Sequence, residues 1–303
     1  MALRRHSVSS YKLLQLWVAY SHFQAFQLEK STIKRDYGKI SKRVAAMPEL
    51  EDEIAVRGWM MARYSPETCR RMLQQFSACC DWAVRSRHIP SNPFEGLDKD
   101  FRKQSKQDRR AFTAGERDCI LNAVAKDLYV HPSPRVPHSF YLPYLQFLFW
   151  SGCRLEEANA LHWKNVSTDG SSVRFCEALP SDTRILGDIK THRQRDFPCN
   201  ARLRTVLQRL ERVDSFVFLS PKGCAMDSHN LLNRIWRPVV EELVDEGQVR
   251  EYLPLKHCRH TFITLALEAG IEVKDVAALV GNSPDVIYRH YAARKPMIEI
   301  PEF

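Results

Sequence analysis

Four side chains, far apart in the chain, together supply what a phosphoryl transfer needs. Arg154 lies in Ser151-Gly152-Cys153-Arg154-Leu155-Glu156-Glu157 and Lys190 in Ile189-Lys190-Thr191. Arg259 lies in Lys256-His257-Cys258-Arg259-His260-Thr261, and Tyr291 follows Asn282 by nine residues. A guanidinium grips two phosphate oxygens with its planar fork. A lysine can protonate a leaving oxygen, and a tyrosine can attack phosphorus. Each residue taken alone has a plainer reading. Arg154 and Glu157, three apart, share a helix face and read as an ordinary surface ion pair. Lys190 reads as a solvent-facing strand lysine, His260 as a packed core histidine and Tyr291 as a buried aromatic. What counts is the set and its order.

Helices and one hairpin must bring these groups together. Apolar residues at helical spacing predict a helix over 11–29, a second from Ser31 or Thr32 to about Ala46, and a third over about 51–63. Ser65-Pro66 supplies an N-cap and a proline at the first helical position for a fourth over 66–87, ended by Pro90, Asn92 and Pro93. Residues 1–97 thus read as a four-helix module. Residues 98–110 follow as a basic interdomain linker, in which Lys99, Arg102, Lys103, Lys106, Arg109 and Arg110 outnumber Asp100 and Asp108. That stretch reads equally as a solvated connection and as a phosphate-contacting strap. Residues 111–303 form the second domain. It opens with the capping box Thr113-Ala114-Gly115-Glu116. Helical patterns follow at 139–151, 154–162, 229–245, 257–269, 273–280 and 284–291. Extended runs at Ser172–Cys176, Leu186–Phe197 and Phe216–Leu219 predict strands, with Lys190 on a hairpin turning near 191–194. The expected class is mainly α with a small β-sheet.

Composition narrows the partner. The chain has 303 residues, is 44% hydrophobic and carries a formal net charge of +9. With a pI of about 9.1 and a mean hydropathy of −0.38, it reads as a soluble basic protein suited to nucleic acid or an anionic surface. The most apolar stretch, Phe140 to Trp150, is too short to span a bilayer. Nine dispersed cysteines without a Cys-x-x-Cys pair form neither a disulfide framework nor a zinc signature. A cytoplasmic protein located with the DNA is expected, with no membrane partner.

In order and spacing, the boxes resemble the tyrosine recombinases, the phage-integrase family. That family writes its first box as threonine or serine, glycine, any residue, arginine, two residues, glutamate, as in Ser151 to Glu157. It carries a lysine on a hairpin, as at Lys190, followed by threonine, a basic turn, arginine and a proline, here Pro198. Its third box is histidine, two residues, arginine, histidine, then serine or threonine; here Lys256 stands at the first histidine. Its last box has glycine-histidine or glycine-tryptophan nine residues before the tyrosine; here Asn282 takes that place. The resemblance covers about 111–295, and residues 10–97 fit the family's core-binding domain in length.

The resemblance implies a two-domain clamp on duplex DNA: a helical core-type DNA-binding domain and an α+β catalytic domain. It implies a site-specific recombinase, with Tyr291 attacking a phosphodiester to give a 3′-phosphotyrosine. Arg154 and Arg259 would hold the phosphate, Lys190 would act as general acid, and Lys256 and Asn282 would complete the phosphate shell. Glu157 and His260 would support them from behind. Arg195 would contact the DNA backbone or pack in the hairpin, and the basic residues of 98–110 would contact DNA. No metal and no other cofactor is expected, and the working form is a homotetramer on DNA, with Ile298–Phe303 docking on a neighbouring protomer. A type IB topoisomerase shares the chemistry. The departures at Lys256 and Asn282 also leave open a decayed, binding-only relative, and Tyr288 competes with Tyr291 as the nucleophile.

Overall fold

The computed structural model describes residues 8–101, 110–129, 136–189 and 194–291. The chain divides into two compact units, Met1–Lys106 and Gln107–Phe303.

The first unit is helical: α1 (Ser10–Gln24), α2 (Lys30–Thr32), α3 (Gly38–Ala45), α4 (Glu53–Met61) and α5 (Pro66–Arg85). A π-helical stretch, Ile33–Tyr37, carries α2 into α3, so the second helix of the sequence reading runs on through a wider turn. The starts are set by caps. Ser9, Asp52 and Ser65 accept from Lys12, Ala55 and Thr68 N–H groups, and Pro66 fixes the first turn of α5. One face of α1, α3, α4 and α5 then joins the core around Trp17, Met72, Leu73, Phe76 and Phe94, all fully buried. Trp17 stacks on Tyr37 with ring centroids 5.1 Å apart. After α5, Asn92 ties the chain back. Its amide donates to the Ser77 carbonyl (3.2 Å), the Ser77 hydroxyl (2.9 Å) and Asp81 (2.7 Å), while its oxygen accepts from Phe94 N–H (2.9 Å). Lys99 is exposed in a 3₁₀ turn, Leu97–Asp100.

The second unit starts at α6 (Ala114–Ala125), where Thr113 and Glu116 form the expected capping box. A 3₁₀ turn, His138–Tyr141, leads into α7 (Leu142–Ser151), and α8 (Leu155–Asn159) follows. The strands are β1 (Ser172–Phe175), β2 (Glu177–Ala178), β3 (Gly187–Asp188) and β4 (Arg195–Pro198). β1 pairs antiparallel with β4, and β2 with β3. The register sets Val173 opposite Phe197 and Phe175 opposite Arg195. The alternation turns Val173, Phe175 and Phe197 into the core. The remaining helices are α9 (Ala201–Arg209), α10 (Ser228–Leu231), α11 (Arg237–Asp245), α12 (His257–Glu268), α13 (Val273–Val280) and α14 (Pro284–Tyr291), with a π-helical stretch, Leu232–Trp236, between α10 and α11.

Three expectations change here. Leu186–Phe197 does not pair with itself as a hairpin among the described residues: β3 pairs with β2 and β4 with β1, so the segment lies against the preceding extended run. Phe216–Leu219 is not a strand: it makes only isolated bridges, Phe216 to His162 and Leu219 to Ala225, because its apolar residues pack under the helices without a partner strand beside them. Helix α9 has no counterpart in the sequence reading, although Asn200 caps it and Leu203, Val206 and Leu207 give it a buried face. Among the described residues no helix is long and apolar enough to cross a membrane.

Candidate active site

The core of the site is one buried carboxylate shared by two arginines. Glu157, whose side chain is 1% exposed, sits in the first turn of α8. Its Oε2 accepts from the Arg154 backbone N–H at 2.8 Å, and its Oε1 from Arg154 Nη1 at 2.8 Å. From β4, Arg195 closes a fork on the same carboxylate, Nη1 at 3.0 Å from Oε1 and Nη2 at 2.6 Å from Oε2. Burial would push this carboxyl up, but the Arg195 fork, with Arg154 behind it, holds it below the usual glutamate range. Glu157 is therefore ionised and locks both guanidiniums in place.

Arg154 is the residue before α8 and half-buried. Its other terminal nitrogen, Nη2, donates to the Gly281 carbonyl at 2.9 Å and reaches Asn282 Oδ1 at 3.4 Å. That carbonyl is free to accept because α13 ends in a Schellman turn. Gly281 N–H bonds Ala278 and Asn282 N–H bonds Ala277, at 3.2 and 2.9 Å, with Gly281 at φ +65°. A side chain there is excluded twice over, since a Cβ would lie 2.8 Å from Arg195 Nη1.

Arg259 lies in the first turn of α12. Its Nη1 donates to the Gly152 carbonyl at 2.9 Å. Its Nη2 is buried with no hydrogen-bond partner among the described residues. Burial, and then the charge of Arg154, push this guanidinium down to about 10, so it stays protonated at neutral pH. Gly152 is as constrained as Gly281. It adopts φ +60° at the end of α7, and a Cβ would stand 2.4 Å from the Phe262 ring. The site thus holds three guanidiniums, from Arg154, Arg195 and Arg259, around the one carboxylate of Glu157. Its surplus is cationic, and one strong donor, Arg259 Nη2, has no hydrogen-bond partner among the described residues. A phosphate oxygen is the ligand that chemistry accepts.

Tyr291 ends α14 and is 6% exposed, packed with Ile263, Val276, Val280 and Ile287. His260, on α12 beside Arg259, hydrogen-bonds through Nδ1 to the Tyr291 hydroxyl, with ring centroids 5.7 Å apart. Tyr288 is 59% exposed.

The remaining candidates fall into three groups. Lys256 is exposed at the N-terminus of α12. Lys190 and the linker residues Arg102, Lys103, Lys106 and Arg109 lie outside the described residues, as do Ile298–Phe303. Arg110 forms an ion pair with Glu251. Of the two places open to Arg195, DNA contact and packing, the structure shows it packed. Its side chain is 8% exposed, both terminal nitrogens are committed to Glu157, and Nε donates to the Leu279 carbonyl at 2.8 Å. Its guanidinium carbon stands 4.5 Å over the Phe175 ring. The sequence reading also missed the Gly152 and Gly281 carbonyls as acceptors; a glycine closing each helical pattern, at α7 and α13, was the available signal.

Comparison with known proteins places the chain in a family. The phage integrase family profile matches residues 121–296. An integrase of Streptomyces ambofaciens is 26% identical over 194 residues, which is 57% of this chain and 46% of that protein. The chain thus spans just under half the length of this relative. Among solved structures, the Tn1549 transposon integrase in complex with a circular intermediate DNA superposes with a TM-score of 0.73 at 16% identity, covering 92% of this chain and 94% of that one. A lambda integrase dimer bound to a COC′ core site gives a TM-score of 0.64 at 16% identity, covering 98% and 81%. At such identities the likeness is one of fold. The sequence family is carried by the profile, which takes in more than half of the chain and all four chemical boxes: this protein belongs to the phage integrase family of tyrosine recombinases.

Proposed function

We propose that the protein is a site-specific DNA recombinase that cleaves and rejoins duplex DNA through a covalent phosphotyrosine. The observation that carries this reading is the buried Nη2 of Arg259, which has no hydrogen-bond partner among the described residues and lies in the field of a second guanidinium, Arg154. A buried guanidinium donor without a partner is costly, and a phosphodiester oxygen would satisfy it.

In this reading Tyr291 Oη attacks the scissile phosphorus and the bond to the 5′ oxygen breaks, leaving a 3′-phosphotyrosine and a 5′-hydroxyl. The phosphodiester energy is kept in the new bond, so the reverse attack by another 5′-hydroxyl joins strands without an added energy source. Arg154 and Arg259 stabilise the charge that grows on the non-bridging oxygens; losing one such donor typically costs ~10²–10³ in rate. Lys190 protonates the leaving oxygen. Asn282, within reach of Arg154, and Lys256 complete the shell around the phosphate. The first unit serves as the core-type DNA-binding domain, and the working assembly is a tetramer pairing two duplexes. The lambda integrase solved as a tetramer on a Holliday junction, with a TM-score of 0.64 at 14% identity, is a precedent in fold for that assembly.

The test is covalent trapping on a nicked suicide duplex made from the junction sequence of the element that encodes the protein. Wild type and Tyr288→Phe are expected to form a protein–DNA adduct, and Tyr291→Phe none. Tight binding without any adduct from wild type would make the protein a binding-only relative.

A further inference from the structure

The contact between His260 and Tyr291 joins a titratable ring to the hydroxyl that has to lose a proton, and the reaction described so far leaves that proton unassigned. We propose that His260 is a catalytic residue, the general base that takes the phenolic proton of Tyr291 as the phosphotyrosine bond forms. This inference rests on the recombinase reading.

Geometry carries it. His260 Nδ1 and Tyr291 Oη are hydrogen-bonded, and the two rings are inclined at 37°. α12 places Arg259 and His260 side by side, so one helical turn supplies both a donor facing the Gly152 carbonyl and an acceptor on the nucleophile. The other groups of the site are unsuited to the task. Glu157 is bound up in hydrogen bonds from Arg154 and Arg195. Lys256 is an ammonium with no lone pair to offer at neutral pH, and Asn282 is an amide. The chain therefore carries no imidazole at Lys256, three residues before Arg259, and carries one at His260, immediately after it.

His257 supports the arrangement. Its ring packs against that of His260 edge to face, with centroids 4.9 Å apart, and its Nδ1 lies 3.0 Å from the Pro254 carbonyl. Burial pushes the His257 imidazole down, so a neutral ring flanks the imidazolium that His260 becomes.

The step balances. Neutral His260, protonated on Nε2, accepts the Oη proton at Nδ1. The electron pair of the O–H bond passes into the new Oη–P bond, and the pair of the breaking P–O bond leaves with the 5′ oxygen, which is protonated by the general acid. In the rejoining direction the imidazolium returns its proton to the departing phenolate.

The experiment measures single-turnover adduct formation on the nicked duplex by the full chain, with residue 291 as tyrosine or as the more acidic 2,3-difluorotyrosine. His260→Asn keeps an acceptor near Nδ1 and loses the base. With tyrosine it is expected to react slower than the native sequence by about 10²-fold or more. With difluorotyrosine the penalty should shrink several-fold, because a more acidic phenol needs less help. DNA affinity serves as the folding control, and His260→Gln replaces His260→Asn if the latter fails it. An equal penalty with both nucleophiles would overturn the proposal and leave His260 a packing residue. No adduct from the native sequence would overturn the recombinase reading, and this inference with it.

Discussion

Glu157 shows how a single atom pair can decide a site. Its carboxylate is the common anchor of Arg154 and Arg195, and both partners are largely shielded from water. Removing it leaves the 8%-exposed Arg195 uncompensated. Glu157→Ala should therefore destabilise the second unit by about 3–5 kcal/mol, read from its urea unfolding transition. A loss below about 1 kcal/mol would show the pair to be dispensable. The pH sign follows from the same contact. The folded-state carboxyl is depressed, so its contribution is complete above the ordinary glutamate range and disappears as pH falls through the lowered value. Arg259→Lys keeps a charge but loses the fork. It should slow adduct formation about 10²-fold or more while leaving DNA affinity nearly unchanged, as gel shifts beside single-turnover cleavage would show. The sequence makes the Arg154–Glu157 pair legible because the two are three residues apart on one turn. Arg195 is not legible in its true place, because its partner lies 38 residues away and only the folded β1–β4 pairing brings them together.

At the scale of elements, the site depends on how helices end. α7 and α13 both stop at a left-handed glycine, and each of these glycines offers its carbonyl to an arginine. Gly152→Ala must accommodate both φ +60° and a 2.4 Å approach to Phe262. It should cost more than about 1 kcal/mol and slow cleavage too, by shifting the carbonyl that holds Arg259. Unchanged cleavage in Gly152→Ala would detach the end of α7 from the chemistry. The capping box of α6 gives a separable pH effect. Glu116 accepts from Thr113 N–H at 2.7 Å and from Arg250 Nε at 2.7 Å. Against its burial, the Arg250 fork and these N–H groups lower the carboxyl to about 2. Glu116→Gln should lose about 1.5–3 kcal/mol at neutral pH, with the difference from wild type fading as pH drops from the ordinary glutamate range toward 2. Elements with local signals, such as the caps at Ser65 and Thr113, are readable from sequence. Phe216–Leu219 is not, because a short apolar run looks the same whether it pairs as a strand or packs as a buried connection. α9 escaped notice because it is only nine residues long and arginine-rich, although its small apolar face is spaced as a helix requires.

For the whole molecule, a net charge of +9 suits the DNA partner proposed above, and electrostatics should then dominate its affinity. Binding to nonspecific duplex should fall about 10³-fold or more as salt rises from about 50 to about 200 mM, as expected for six or more phosphate contacts. A salt-independent affinity would contradict this. The family is legible in the sequence because its boxes keep their residue types, order and spacing. A target sequence is not, because base contacts depend on docking geometry. Tyr291 is expected to become covalently bound to DNA, and mass spectrometry of the trapped adduct after trypsin digestion reads this out. Cleavage after Arg289 separates Tyr288 from Tyr291, leaving the latter in His290-Tyr291-Ala292-Ala293-Arg294. The nucleotide remnant is expected on that peptide. A remnant on the peptide containing Tyr288, or on neither, would contradict it.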